Sequence, residues 1–343
     1  MLIIIEYIYT GTEAETLIEI KNLTKRYGKI TAADNISFEF KPGQIYGFLG
    51  PNGAGKSTTM NIMTGCLSAT EGCVLIDGQD ISKNSACIKK LIGYLPETPP
   101  LYTEMTPNEY LCFVAGAKGV SRNKRDAEIA RVMECTGITR VKDRLIANLS
   151  KGYRQRVGIA QTLIGKPRYI ILDEPTVGLD PNQMIEIREL IRSLGKEHTV
   201  ILSSHILTEV SNICDTLIVI SGGKIAASGS MEELRNKIGA YKKLFVTFKT
   251  DDSDAIQSII RNVADDSPYT IETDLQTHVT IEDAEDGVQE RLFFAAADRK
   301  IPIIEMKMQT LSLEEIFTEL TNKNESINEQ KEDADAVGLQ EGA

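Results

Sequence analysis

A glycine-rich loop between an apolar run and a helical stretch constrains the fold of this chain more than any other segment. Residues 44–49 form the apolar run, and residues 50–57 fit the pattern G-x-x-x-x-G-K-[ST]. Because glycine tolerates backbone angles that other residues avoid, such a loop turns its N–H groups inward around an anion, at the positive end of the helix that follows. The pattern therefore predicts a triphosphate site. Its residues are Gly50, Pro51, Asn52, Gly53, Ala54, Gly55, Lys56 and Ser57.

Four side chains carry the chemistry predicted for this site. Lys56 is expected to reach the β- and γ-phosphates, and Ser57 to place its hydroxyl on Mg²⁺. A second apolar run, residues 169–172, ends in Asp173 and Glu174. At the end of a buried strand, Asp173 is suited to hold Mg²⁺ directly or through water, and Glu174 to accept a proton from an attacking water. The sequence therefore predicts hydrolysis of a nucleoside triphosphate.

Four further motifs extend this pattern along the chain. Residues 149–153 read Leu-Ser-Lys-Gly-Tyr, which is similar to the signature L-S-G-G-Q but departs from it at the third and fifth positions. Residues 178–181 resemble a D-loop, His205 stands where a histidine switch is expected, and Tyr27 matches an aromatic residue that stacks on adenine. In this order the motifs resemble those of the ATP-binding-cassette (ABC) ATPases over residues 17–230.

This resemblance implies an ATP site with Mg²⁺ and a set of contacts to both. Glu174, His205 and Lys56 are expected to be catalytic, with His205 contacting the γ-phosphate and orienting the water. Beyond the loop, the expected ATP contacts are Tyr27, Thr58, Ser150, Gly152 and Asp180. The expected Mg²⁺ ligands are Ser57, Asp173 and Glu97. Glu97 replaces the family's usual glutamine; its carboxylate ligates Mg²⁺ at least as well as an amide but donates no hydrogen bond when ionised.

The resemblance also implies partners. Two cassettes of this family meet head to tail, so that each ATP lies between the phosphate loop of one copy and the signature of the other. This chain has one loop and one signature, so a second copy of itself is the expected partner. The other expected partner is a separate multi-span membrane permease, which would hold the protein on the cytoplasmic face of the cell membrane. Residues 310–320 resemble the end of bacterial ABC-2 type exporter ATPases, which include drug-export, copper-maturation and gliding members.

Together with this resemblance, the organisation along the chain predicts an α/β P-loop NTPase core of the ABC type. Its predicted elements include strands over residues 17–20 and 36–40 and a helix from residue 56 to about residue 67. We expect an extension over 1–16, an ATPase domain over 17–231 with a helical subdomain over about 99–162, and an accessory domain over 240–321. In the accessory domain the order β-α-β-β-α-β indicates a small α+β, ferredoxin-like layer. Residues 322–343 are acidic and poor in apolar residues, so we expect this tail to be disordered.

Two other functions remain open at this stage. One is a soluble ABC ATPase of translation or DNA repair, but a net charge of −11 disfavours contact with nucleic acid, which needs many cations. The other is an ATP-gated regulatory subunit without useful turnover, which the presence of Glu174 disfavours. Neither a second cassette nor a long coiled-coil insertion, both typical of the soluble ATPases, is visible in the sequence.

Overall fold

The computed structural model describes residues 18–237, 242–264, 267–282, 284 and 287–310. By its internal contacts the chain divides into two compact units, residues 1–228 and 229–343. The predicted extension over 1–16, the acidic tail over 322–343 and the segment that resembles the end of ABC-2 exporter ATPases lie outside the described residues, apart from residue 310. The described residues contain no helix that is both long and apolar enough to span a membrane.

Within the described residues, the first unit contains ten strands and seven α-helices. Its strands are β1 (Ile18–Tyr27), β2 (Ile30–Phe40), β3 (Ile45–Leu49), β4 (Glu71–Ile76), β5 (Gln79–Asp80), β6 (Ile92–Leu95), β7 (Tyr169–Leu172), β8 (Thr199–Ser204), β9 (Thr216–Ser221) and β10 (Lys224–Gly229), the last of which ends at the unit boundary. Its helices are α1 (Lys56–Met63), α2 (Ser85–Ile88), α3 (Pro107–Ala117), α4 (Arg122–Cys135), α5 (Lys151–Leu163), α6 (Pro181–Leu194) and α7 (Leu207–Val210).

A six-stranded sheet forms the centre of this unit, in the order β10-β9-β3-β8-β7-β6. The strands from β9 to β6 are parallel, and every residue of β3, β7 and β8 is buried, as their apolar sequences predict. The carboxyl ends of parallel strands meet at one edge of a sheet. The segments that follow β3, β6, β7 and β8, which hold most of the predicted site residues, therefore converge there.

A second, antiparallel sheet has the order β2-β1-β4-β5. It shares an apolar core with the central sheet, in which the rings of Phe40 and Tyr46 lie 4.9 Å apart between their centroids. The strands predicted at residues 17–20 and 36–40 overlap β1 and β2, which are far longer, and residue 17 lies outside the described residues. Their pairing contains register shifts, and these bulges break the alternation of apolar and polar residues that identifies a strand from its sequence.

Helices α3, α4 and α5 fill the segment between β6 and β7, where the sequence indicated a helical insertion. Thr106 and Glu109 form a capping box at the start of α3, and the Ser150 hydroxyl caps α5. The helix expected over residues 56–67 is shorter than predicted. It ends at Met63, because Gly65 adopts a φ of +67° and stops the helical path.

The second unit contains α8 (Met231–Lys237), β11 (Lys242–Phe248), α9 (Ser253–Val263), β12 (Tyr269–Thr273), β13 (Thr277–Ile281), α10 (Val288–Asp298) and β14 (Ile303–Thr310). Its described strands form an antiparallel sheet in the order β12-β13-β11-β14. Apolar residues of α9, spaced one helical turn apart, pack on this sheet. The predicted ferredoxin-like split βαβ order is confirmed.

Candidate active site

The loop after β3 has a backbone that only glycine accommodates at its critical points. Gly53 and Gly55 adopt φ angles of +83° and +104°. A Cβ atom at Gly55 would overlap the carbonyl oxygen of Ala32 in β2, and one at Gly50 would overlap the carbonyl oxygen of Ile220 in β9. The spacing of the glycines therefore follows from close approach of the loop to two neighbouring strands, with α1 beginning directly after it.

Lys56 lies under this loop with only 6% of its side chain exposed. Its Nζ donates hydrogen bonds to the carbonyl oxygens of Gly50 at 2.7 Å and Pro51 at 3.2 Å, and lies 3.7 Å from Oε1 of Glu174. Burial lowers the pKa of the Lys56 ammonium, and the carboxylates of Glu174 and Asp173 oppose that shift. The cation thus lies between the loop and the acids that follow β7.

Asp173 is buried beside the first residues of α1. Its Oδ1 accepts hydrogen bonds from the hydroxyls of Ser57 at 3.2 Å and Ser203 at 2.6 Å. Ser203 in turn accepts a hydrogen bond from the backbone N–H of Glu174 at 2.8 Å. Ser203 has no exposed surface and was absent from the predicted site, although its position just before His205 is a signal that could have identified it.

Glu174 and His205 form the pair closest to the predicted hydrolytic chemistry. Nδ1 of His205 lies 3.0 Å from Oε2 of Glu174, whose side chain is 9% exposed while that of the histidine is 40% exposed. Glu174 has a φ of +48°, a left-handed conformation that is unusual for a residue with a side chain. The pair places a carboxylate at the wall of the cleft and an imidazole at its mouth.

These groups line a cleft of about 360 Å³. The lining consists of Asn52, Gly53, Gly55, Lys56, Ser57, Thr58, Glu97, Glu174, Val177 and His205. All of these except Val177 were predicted from the sequence. Asp173 does not line the cleft, but it accepts a hydrogen bond from Ser57, which does. Glu97 lines the cleft and is exposed to solvent. The cleft therefore contains backbone donors, one buried cation and oxygen ligands, the groups that a triphosphate requires.

Within the loop, the predicted contacts Gly50, Pro51 and Ala54 do not line this cleft. Outside the loop, four predicted ATP contacts do not line it either: Tyr27, Ser150, Gly152 and Asp180. Tyr27 ends β1 with 49% of its surface exposed, and the Lys25 Nζ lies 5.2 Å from its ring centroid. It belongs to the same hairpin as Ala32, which contacts the loop at Gly55.

The other three residues lie together where α5 and α6 begin. The Ser150 hydroxyl accepts a hydrogen bond from the Tyr153 N–H at 3.3 Å, and Asp180 Oδ1 accepts one from the Gln183 N–H at 3.0 Å. A Cβ at Gly152 would overlap the side chain of Gln183, so glycine allows the two helix starts to pack closely. One chain thus presents a phosphate cleft and, apart from it, a signature surface defined by Ser150, Gly152 and Asp180.

Within the part of the chain that the structure describes, the cleft has oxygen ligands for a divalent cation but no metal site built from protein side chains alone. Among the described residues no group of three or more His, Cys, Asp or Glu side chains could hold a metal. Mg²⁺ needs no such group in a nucleotide site, because it keeps several waters and takes one or two protein ligands together with phosphate oxygens. The hydroxyl of Ser57 beside the carboxylate of Asp173 is a donor set of this kind.

Residues 33–177 match the ABC transporter family. The bacitracin transport ATP-binding protein BcrA of Bacillus licheniformis is 34% identical over 307 residues, covering 89% of this chain and 97% of that protein. The linearmycin resistance ATP-binding protein LnrL of Bacillus subtilis strain 168 is 33% identical over 310 residues, covering 90% and 99%. An ATP-binding cassette solved as a dimer in a post-hydrolysis state with ADP and Pi is 26% identical, with a TM-score of 0.57 over 62% of this chain and 98% of that one.

Proposed function

The chain belongs to the family of ABC transporter ATP-binding proteins, and from this premise we propose that it drives a bacterial exporter of the ABC-2 type. As a member it binds ATP and couples ATP hydrolysis to transport. The observation that carries the catalytic part of the proposal is the convergence of Lys56, Glu174 and His205 at one cleft behind the phosphate loop.

Each side chain of the cleft has a role in this proposal. The loop amides and Lys56 hold the β- and γ-phosphates, and the ammonium neutralises charge that develops as the terminal bond breaks. Glu174 accepts the proton of the attacking water, and His205 contacts the γ-phosphate and orients that water. The 3.0 Å contact between Glu174 and His205 supports a joint action of the two.

Bound Mg²⁺ would neutralise phosphate charge, and we propose Ser57, Asp173 and Glu97 as its protein ligands. The hydrogen bond from Ser57 to Asp173 supports the first two, since a hydroxyl and a carboxylate already meet there. Glu97 lines the same cleft and is exposed to solvent. The three residues supply only oxygen, which is the ligand type that Mg²⁺ prefers.

We further propose that two copies of the chain enclose two ATP molecules. The argument is geometric, because within one chain the signature surface, with Ser150, Gly152 and Asp180, does not line the phosphate cleft. A helix N-terminus is suited to a phosphate, so the signature surface of one copy is proposed to close the cleft of the other. Tyr27 is proposed to stack on the adenine. The dimeric cassette with ADP and Pi supports this arrangement by its similarity.

Transport requires a membrane-spanning partner, which we propose to be a separate permease that holds the protein at the cytoplasmic face of the membrane. The helices between β6 and β7 are proposed to transmit closure of the dimer to it. The names of BcrA and LnrL support export of an antimicrobial compound. We assign the ATPase to residues 17–231 and a dimer contact or regulatory platform to residues 240–321.

The Glu174→Gln variant tests the catalytic assignment, with Glu189→Gln on the exposed face of α6 as the matched control. Loss of the general base is expected to lower phosphate release by about 10²–10⁴, with ATP binding retained because the amide keeps the size of the side chain. The control is expected to hydrolyse ATP as the unaltered protein does. Unchanged turnover in Glu174→Gln would remove Glu174 from the reaction.

A further inference from the structure

A buried carboxylate behind the cleft has no part in the mechanism described so far. Glu209 lies on α7, four residues after His205, with only 8% of its surface exposed. Its Oε2 accepts hydrogen bonds from the Thr176 hydroxyl at 2.6 Å and from the Ser204 hydroxyl at 3.2 Å. Burying a carboxylate is costly, so its presence there points to a specific task.

The two hydroxyls that meet at Glu209 belong to the two segments that carry the catalytic pair. Thr176 is in the turn after β7, two residues beyond Glu174, and the Val177 N–H of that turn donates to the Glu174 carbonyl at 3.2 Å. Ser204 ends β8, directly before His205, and its hydroxyl accepts a hydrogen bond from the Ile206 N–H at 3.0 Å. Through these two hydrogen bonds, Glu209 therefore connects the turn that contains Glu174 to the segment that contains His205.

The backbone conformation of Glu174 explains why these hydrogen bonds are useful. A residue with a side chain in the left-handed region is strained and persists only where its surroundings hold it. The Ser203 hydroxyl accepts a hydrogen bond from the N–H of Glu174. On the other side of the same turn, the Thr176 hydroxyl donates a hydrogen bond to Glu209. Hydrogen bonds to an ionised carboxylate are about twice as strong as neutral ones, so Glu209 is well suited to fix the turn.

We propose that Glu209 is a positioning residue for ATP hydrolysis: with Thr176 and Ser204 it fixes the relative placement of Glu174 and His205. The inference rests on the proposed roles of those two residues. Glu209 does not line the phosphate cleft, so its loss should slow the chemical step without weakening ATP binding. Misplacing a catalytic group by about 1 Å can cost about 10²-fold in rate.

The sharpest test is a pair of substitutions at Thr176, a buried residue whose hydroxyl can be removed or kept. Thr176→Val preserves shape and removes the hydrogen bond, whereas Thr176→Ser keeps the hydroxyl and loses a methyl group. We expect kcat for ATP hydrolysis to fall about 10- to 100-fold in the valine variant, with KM for ATP unchanged. The serine variant should restore most of kcat. Thr208→Val, at an exposed position of α7, is the control and should leave kcat unchanged.

Glu209→Gln is the second variant, and it keeps the proposal testable if Thr176→Val does not fold. The amide leaves an acceptor but removes the charge, so kcat should fall by less than in the valine variant. In the double variant of Thr176→Val and Glu209→Gln, kcat should fall by less than the product of the two single fold-changes, because both substitutions remove the same interaction. A kcat equal to that of the unaltered protein in both variants would overturn the inference, as would a loss confined to KM or a serine variant no better than valine. Failure of the proposed function is distinguishable, since it would appear as unchanged turnover in Glu174→Gln.

Discussion

Replacing Ser203 by alanine removes a single buried hydroxyl that joins the Mg²⁺-ligand candidate to the proposed base. In the structure this hydroxyl donates to Asp173 at 2.6 Å and accepts from the Glu174 N–H at 2.8 Å, with no exposed surface. A hydrogen bond to a charged group contributes about 1.5–3 kcal/mol, and a buried N–H left without a partner costs about 1–3 kcal/mol. Because the two effects overlap, we expect Ser203→Ala to lower the free energy of unfolding by about 2–4 kcal/mol.

The assay is thermal unfolding together with ATP turnover. At about 2–4 °C per kcal/mol for a unit of this size, Tm should fall on the order of 10 °C. Turnover should fall about 10-fold or more even well below Tm, since Asp173 and Glu174 both lose a fixed contact. The matched control is Ser82→Ala, which removes a 2.7 Å hydrogen bond from a serine to Asp80 at an exposed position. That change should shift Tm by little.

The reasoning would be refuted if Ser203→Ala and Ser82→Ala had the same Tm and the same turnover. Equal values would mean that burial adds nothing to the hydrogen bonds of Ser203. They would also mean that the placement of Asp173 and Glu174 is fixed by the strands alone.

Three further predictions follow from the same site. Lys56→Ala removes the cation that lies under the loop, so ATP binding measured by calorimetry should weaken markedly; unaltered affinity would contradict the assignment. Gly55→Ala should lower Tm more than Gly53→Ala, because both glycines have a positive φ but only at Gly55 would the added Cβ overlap a backbone carbonyl oxygen. Equal losses of Tm would show that the positive φ alone determines the destabilisation. Removing divalent cations with a chelator should stop phosphate release and added Mg²⁺ should restore it; turnover that persists in chelator would exclude the proposed role of Mg²⁺.

The groups of the cleft that come from short motifs were predictable from the sequence. The loop through Ser57 and the acids Asp173 and Glu174 follow buried apolar strands, and the parallel order of the sheet brings the strand ends together. Local spacing encodes such groups, because the residues that make each motif are neighbours in the chain. His205 and Glu97 could be assigned only by resemblance, yet the structure places both at the cleft.

The interactions that hold the cleft were not predictable, because they join residues far apart in the chain. Ser203 is 30 residues from Asp173, and Glu209 is 33 residues from Thr176. A glutamate in a short helix has no distinctive local pattern, and the only sequence signal for Ser203 is its position just before His205. The long hairpin of β1 and β2 was predicted only in part for a different reason, since its bulges disrupt the alternation on which strand prediction depends.

The central claim is that two copies of the chain enclose ATP, and the mass of the Glu174→Gln variant in solution tests it most directly. Light scattering during size exclusion, with and without Mg²⁺ and ATP, reports this mass. We predict a species of 37.9 kDa without nucleotide and one of twice that mass with saturating ATP. Ser150→Arg, which obstructs the signature surface, should prevent the change. A variant that binds ATP and yet keeps the mass of one chain at every ATP concentration would contradict the claim.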